Sequence, residues 1–399
     1  MMRILQLCSK VPYPAKDGGC LAMLNIAEMM HSQGLEVKIL AMETHKHSAP
    51  ERGYPSEFKK IFAPESVFVE TKVKILNALS NLLFSKESYH LLRFKNKNFE
   101  QKLFSILKEY KPDVVVLDSL FTSGYIDVIK INSKAKIIYR AHNIEYIIWQ
   151  EIAAKTKSFF KKYYLEIQSS RLKNEELIAI AKCDGILAIT GKDADFFSKH
   201  VKHKKIMTLP FTVNISEYNV EKNHHEKSLF FIGAMDWYPN LEGVKWFIDI
   251  VWNEVLKKHP TAKFYLAGKA MPDRLKNLEH INIINLGEVP NAKEFMQKAP
   301  LMIAPIFSGG GLKIKMIEAM AMGKIVVCNP QAAFGIPVTH QKDVLFAHSS
   351  TEFIALINEQ FSTSKLPNNI GENARALIVS HFNTVSKSNE LALFLRSLN

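Results

Sequence analysis

Short, mostly apolar runs, separated by stretches with helical spacing, recur along almost the whole chain. In the first half they lie at Ile4–Leu7, Val37–Ala41, Val114–Leu117, Ile137–Tyr139, Ile186–Ile189 and Ile206–Leu209. Helical patterns such as Leu21 to Met30 and Phe99 to Leu107 fall between them, and Gly34 supplies the stop after the first. A strand wetted on one face alternates apolar with polar residues. A run that stays apolar is buried on both faces, which predicts a parallel sheet covered by helices on either side.

The second half repeats the scheme. Leu229–Ile232, Phe264–Ala267, Ile281–Ile284, Leu301–Ala304 and Ile325–Cys328 read as strands. Pro239 to Val255, Ala292 to Lys298 and Leu312 to Met322 read as helices. Between the halves, Glu217 to Lys227 is polar and shows no core pattern, so it reads as a linker. The expectation is an α/β chain of two doubly wound, Rossmann-like domains, residues 1–216 and 217–382, followed by an amphipathic helix in residues 383–399. Two such domains would leave a cleft, with ligands at the carboxyl ends of the strands. A length of 399 residues with 47% hydrophobic and 23% charged residues is enough for two ordinary cores.

Composition narrows the class. Apolar runs stay well short of the roughly 18 residues of a spanning helix. The start, Met1 to Leu7, reads as a first strand and not as a signal peptide. Cys8, Cys20, Cys183 and Cys328 are scattered, which fits a reducing cytoplasm and argues against a disulfide framework or zinc ribbon. A net charge of +13 suits anionic partners or mere solubility, and no nucleic-acid recognition motif accompanies it.

The segment richest in chemistry runs from Phe307 to Gly323. The apolar run Leu301–Ala304 leads through Pro305 into Gly309-Gly310-Gly311, then Leu312, Lys313, Lys315 and Glu318. Glycines at a helix start let amides approach an anion closely. Lysines add charge, and a glutamate a turn later accepts hydrogen bonds from a sugar hydroxyl. The combination predicts a cradle for a sugar phosphate. Lys315 stands three residues before Glu318 and shares its helix face, so it ranks above Lys313 as the phosphate cation.

With this helix and two such domains, the chain resembles the GT-B-fold glycosyltransferases, in particular the large retaining family four, or group 1, type. Gly18-Gly19 matches the N-terminal glycine loop of that family, and Arg140-Ala141-His142-Asn143-Ile144-Glu145 its H-N-x-E segment. The turn Gly233 to Asn240, Gly268, and Gly287-Glu288-Val289 match turns on the nucleotide side. The resemblance implies that His142 contacts the donor sugar near the reacting centre and that Glu318 binds the nucleotide ribose. It also implies that the last helix crosses back to the first domain. The family's first acidic position falls on Gly310, which has no side chain. No Arg or Lys stands in Ala234-Met235-Asp236-Trp237, where many relatives carry one, so the lysines of the glycine segment replace that charge.

Other features receive plainer readings. Asn143 reads as a helix cap and Glu145 as a first-turn carboxylate. Asp193-Ala194-Asp195 opens a helix rather than binding a metal. The pairs His45/His47 and His224/His225 lack further ligands at zinc spacing. No metal or cofactor is expected. Lys72 to Lys111 carries nine basic residues against three Glu, interleaved with Leu76, Leu79, Leu82, Leu83 and Phe84. Phe159 to Tyr164 repeats this flavour. Such segments either cover a sheet as solvated helices or lie on an anionic bilayer.

The expected function is therefore retaining transfer of a sugar from a nucleotide-diphosphate sugar to a glycan or lipid-linked acceptor. It would serve cell-surface polysaccharide or glycolipid synthesis, in the cytoplasm or at the inner face of the membrane. A non-hydrolysing sugar-nucleotide epimerase and a catalytically inactive sugar-nucleotide or glycan binding protein are the alternatives.

Overall fold

The structure is a computed structural model that describes residues 1–15, 17–202, 204–220, 227–278, 280, 282–309, 311–362 and 369–398. The chain divides into two compact units, Met1–Phe211 with Val385–Asn399, and Thr212–Thr384.

The first unit holds a parallel sheet of β1 (Arg3–Cys8), β2 (Glu36–Glu43), β3 (Glu65–Phe68), β4 (Val114–Asp118), β5 (Lys136–Ala141), β6 (Gly185–Ala188) and β7 (Lys205–Thr208). Their order is β3-β2-β1-β4-β5-β6-β7. The apolar runs become the central strands, and β4 is buried at every position. Alternate residues of the same strands enter two separate cores. Leu5, Leu7, Leu40, Val115 and Leu117 join one; Ile4, Cys8, Val37, Ile39, Val114 and Val116 join the other. Each face is therefore roofed by helices, as continuous apolar runs require. Each large aliphatic side chain so buried contributes about 1.5–3 kcal/mol. The sequence pattern misses β3, a half-exposed edge strand containing Glu65 and Ser66.

The helix Thr384–Arg396 belongs to this first unit from Val385 onward. Its Leu391 and Leu395 sit fully buried in the core that holds Ile4 and Val37.

The second unit has β8 (Ser228–Ile232), β9 (Lys263–Ala267), β10 (Ile283–Asn285), β11 (Leu301–Ala304), β12 (Ile325–Cys328) and β13 (Leu345–Phe346), all parallel. Their order is β10-β9-β8-β11-β12-β13. The helical pattern from Pro239 to Val255 becomes the helix Tyr238–Trp246, a π-helical stretch Phe247–Trp252 and the helix Asn253–Lys258. The π stretch turns Phe247, Val251 and Trp252 fully into the core. Most of the expected linker, with His224 and His225, lies outside the described residues, as does Ile281. Among the described residues no helix is long and apolar enough to cross a membrane.

Candidate active site

In a doubly wound sheet, the strand order reverses at one point, and loops on either side of it open a crevice at the carboxyl ends of the strands. In the first unit that point lies between β1 and β4, and in the second between β8 and β11. The residues singled out in the sequence gather around these two points, each set within its own unit.

In the first unit, Gly18 and Gly19 open the helix Gly18–Ser32 that follows β1. Asp17 caps it, accepting from the Cys20 amide at 2.9 Å. Asp17 also accepts from Lys10 Nζ at 2.7 Å and pairs with His47 Nε2 at 2.8 Å. Burial works against this carboxylate, but Lys10, the Cys20 amide and His47 together hold it far below its usual range. The ligand atoms of Asp17, Cys20 and His47 lie within 4.8 Å of one another, which spacing in sequence did not suggest. The Lys10 ammonium already occupies one oxygen of the carboxylate.

His142 follows β5 and is partly buried. Its Nε2 lies 2.5 Å from Asp118 Oδ1 at the end of β4. Asp118 is fully buried, and its other oxygen accepts from Gln6 Nε2 at 2.6 Å. Arg140, 1% exposed, brings Nε to 3.9 Å from Asp118 Oδ1 without a hydrogen bond. Burial raises the Asp118 carboxyl, yet His142 and Arg140 outweigh it and hold the group below its ordinary range. The result is a buried carboxylate fixing a more exposed imidazole. Gln6 and Asp118 were not singled out in the sequence. The available signal was a lone carboxylate at the carboxyl end of a fully apolar strand.

Asn143 does not cap the next helix. Ile144 stands at the cap position of Glu145–Lys155 and offers no side-chain hydrogen bond. The open amides of Glu145 and Tyr146 are instead taken by Glu176, each at 3.1 Å, from the helix Phe159–Lys182. A cap supplied across 30 residues of chain has no local pattern. Burial lifts both Glu145 and Glu176 to about 7, and each retains hydrogen bonds that partly offset it. Asp193 lies in the first turn of its helix, where Thr190 accepts from its amide at 3.1 Å and donates to its carboxylate at 2.8 Å.

In the second unit, three glycine turns are laced together at strand ends. Gly233 donates to Ala267 O at 3.1 Å, and Gly268 donates to Gly287 O at 2.7 Å. A Cβ on Gly268 would stand 2.0 Å from Gly233 O, so only glycine fits there. Gly287 has φ +60°, and Glu288 beside it is exposed.

The glycine segment after β11 does not itself open the helix. Gly309 and Gly311 have φ +86° and +78°, a left-handed backbone that no helix continues. The helix runs Ile314–Ala321 with Lys313 at its cap, and Met316 is the first residue whose amide closes onto Lys313 O. The expected start at Leu312 is thus two residues early. Gly310 lies outside the described residues. A Cβ on Gly309 would come 2.7 Å from Trp237, so the loops after β8 and β11 touch across the switch point.

The two lysines divide as their positions dictate. Lys315 Nζ lies 2.7 Å from Glu318 Oε2, an ion pair out of hydrogen-bond alignment. Glu318, 6% exposed, also accepts from Tyr218 OH at 3.0 Å. Arg375 holds that tyrosine's backbone by donating to Tyr218 O at 2.8 Å. Lys313 lies over the Trp237 ring at 5.2 Å and donates to Gly311 O at 2.9 Å. Burial lowers its ammonium to about 8. Tyr218 carries no motif that would have marked it as a partner of this segment; Trp237 lies in the turn Gly233 to Asn240 that the resemblance put on the nucleotide side, but nothing in the sequence paired its ring with Lys313.

Residues 226–362, within the second unit, match the family model described as Glycosyl transferases group 1. The chain is 24% identical over 364 residues to an uncharacterised 44.6 kDa protein in the cps region of Klebsiella pneumoniae, covering 88% of this chain and 89% of that one. Among solved structures it is similar to Anabaena HepE in complex with UDP-glucose, with a TM-score of 0.64, 13% identity and all of both chains covered. It is also similar to sucrose-phosphate synthase from Thermosynechococcus elongatus, with a TM-score of 0.71, 12% identity and 99% of each chain covered. The two parallel sheets carry the GT-B glycosyltransferase fold, and the stretch that matches the glycosyl transferases group 1 model holds the second unit's glycine turns and the Ile314–Ala321 helix.

Proposed function

We propose that the protein transfers a hexose or related sugar, with retention, from a uridine-diphosphate sugar to a glycan or lipid-linked acceptor during cell-surface polysaccharide synthesis. The observation that carries this reading is the second unit's switch point. There a left-handed glycine turn, a desolvated Lys313 and the pair of a half-exposed Lys315 with a buried Glu318 share one loop and helix. Breaking a sugar–phosphate bond leaves charge on a diphosphate, and fixed dipoles and cations aimed at it lower the barrier. The reading assigns that charge to Lys313, Lys315 and loop amides rather than to a divalent ion. Glu318 accepts from the ribose hydroxyls, and Gly233, Gly287 and Glu288 line the nucleotide's path. By the same resemblance, Gly18 and Gly19 are assigned to donor binding, and His142, held by Asp118, to contact with the donor sugar.

HepE bound to UDP-glucose supports a uridine-diphosphate donor. The cps-region relative supports a polysaccharide product. Retention follows from the resemblance to the retaining group. The acceptor and the inner face of the membrane as the place of action are parts of the same reading.

Titration calorimetry with UDP-glucose and other nucleotide sugars tests it, with release of UDP on adding acceptor as the second readout. Lys315→Ala and Glu318→Ala are each expected to weaken donor binding about ten- to hundredfold while the fold persists. Unchanged affinity in both variants would remove the reading.

A further inference from the structure

The helix Ile75–Phe84, in the first unit, is turned with its apolar side outward. Ile75, Leu76, Leu83 and Phe84 are 75%, 80%, 73% and 86% exposed, and Leu79 is exposed beside them. The residues it buries are Ala78 and the polar Asn81. This orientation is built and not accidental. Gln168 donates to Asn81 Oδ1 at 2.9 Å, and Arg171 donates to Asn81 O at 3.1 Å and to Leu82 O at 3.0 Å. Asn81 in turn donates to Glu87 O at 3.1 Å. Rotating the helix to hide its leucines would strand those groups, each at a desolvation penalty. An apolar surface this contiguous marks an interaction site.

The helix that clamps it, Phe159–Lys182, begins with a second such surface. Phe159 and Phe160 are 76% and 85% exposed, with Lys161 and Lys162 next in sequence. Gln168 lies eight residues beyond Phe160, about 12 Å along the axis. Against the Ile75–Phe84 helix lies a cavity of about 630 Å³ lined by Lys72, Lys74, Arg93 and Lys95 against the single acidic Glu70, with Lys95 paired to Glu87 at 2.7 Å and the other three basic groups in excess. Arg93 reaches Thr71 O at 2.6 Å and leaves its Nε without a hydrogen bond. An exposed apolar ridge beside a cationic cavity matches one environment in particular: acyl chains topped by anionic phosphate headgroups.

We infer that this face docks on an anionic phospholipid bilayer. The leucines and Phe84 enter the acyl boundary, and the cavity takes a lipid phosphate. The inference deepens the proposed transfer to a membrane-borne acceptor and rests on it for its purpose, but its chemistry stands apart from donor binding.

Co-sedimentation of the full chain with vesicles tests it. The protein is expected to pellet with phosphatidylglycerol–phosphatidylcholine vesicles at low salt and to stay in solution with phosphatidylcholine alone. The exposed double variant Leu79→Asp/Leu83→Asp should lose at least about tenfold in vesicle affinity. Lys72→Glu/Lys74→Glu should lose about fivefold or more per lysine. Both should keep wild-type circular dichroism and UDP-sugar affinity, which separates a failure here from a failure of the transferase reading. Absence of wild-type pelleting with anionic vesicles would overturn the inference, and so would equal pelleting of the double aspartate variant. Light scattering that shows a dimer dissociated by Leu79→Asp/Leu83→Asp would also overturn it, by naming a second copy as the occupant.

Discussion

Lys313 and Lys315 carry the same charge two residues apart, yet the fold gives them different work. Lys315 neutralises Glu318 at 2.7 Å. Lys313 is held over Trp237 and loses enough solvent that its ammonium drops to about 8. Because the unfolded value is about 10.4, the folded state binds fewer protons between pH 8 and that value. Stability contributed by this group therefore rises with pH across that window, and below pH 8 the folded protein bears the full desolvation penalty. A donor diphosphate would reverse the balance by favouring the charged form. UDP-sugar affinity is expected to fall as pH rises through about 8, and Lys313→Gln should bind more weakly and lose that inflection. Calorimetric titration at several pH values checks both. That a lysine stood near a glycine turn was legible in the sequence. Which lysine meets a carboxylate and which meets an indole was not, because Trp237 arrives from a strand end more than 70 positions earlier.

At the scale of the strand, Asp118, His142, Arg140 and Gln6 show how a parallel sheet assembles a site. β1, β4 and β5 are neighbours in the sheet, so their residues meet although Gln6 and Asp118 are 112 positions apart. His142 was legible from its place after an apolar run. Asp118 was not, since a lone carboxylate has no local pattern and its partners come from other strands. The charges are also unequal in support. Asp118 has a histidine and an amide besides Arg140, while the Arg140 guanidinium is buried without hydrogen bonds. Asp118→Asn leaves that guanidinium uncompensated and is expected to destabilise the first unit by about 3–5 kcal/mol. Arg140→Met leaves Asp118 its other partners and should cost about 1 kcal/mol or less. Urea denaturation of both variants decides the matter; equal losses, or a larger loss from Arg140→Met, would contradict the carboxylate's leading part at this strand end.

Over the whole molecule, the chain builds most of one unit, completes the second, and returns to finish the first. Leu391 and Leu395, near the end of the sequence, are fully buried against residues that include Ile4 and Val37 near its start. Leu391→Ala is expected to destabilise the first unit by about 2–5 kcal/mol. A calorimetric scan should show the shift in the first unit's transition, with the second unit's transition unmoved. A shift confined to the second transition would contradict this placement.

The sequence by itself determined the class of the fold. Apolar runs of strand length separated by helical spacing allow little but parallel sheets roofed on both faces, because every such run must be hidden twice. It also marked the glycine turns and the lysine-bearing helix, since φ above zero and close backbone approach select glycine locally. Only the tertiary structure decided what those residues touch. It set Asp118 behind His142, Glu176 over the amides of Glu145 and Tyr146, Tyr218 on Glu318, and Lys313 over Trp237. It also turned the leucines of Ile75–Phe84 outward. Side-chain pairing in a doubly wound sheet depends on which strands lie side by side, and strand order is a long-range outcome of packing that leaves no local trace.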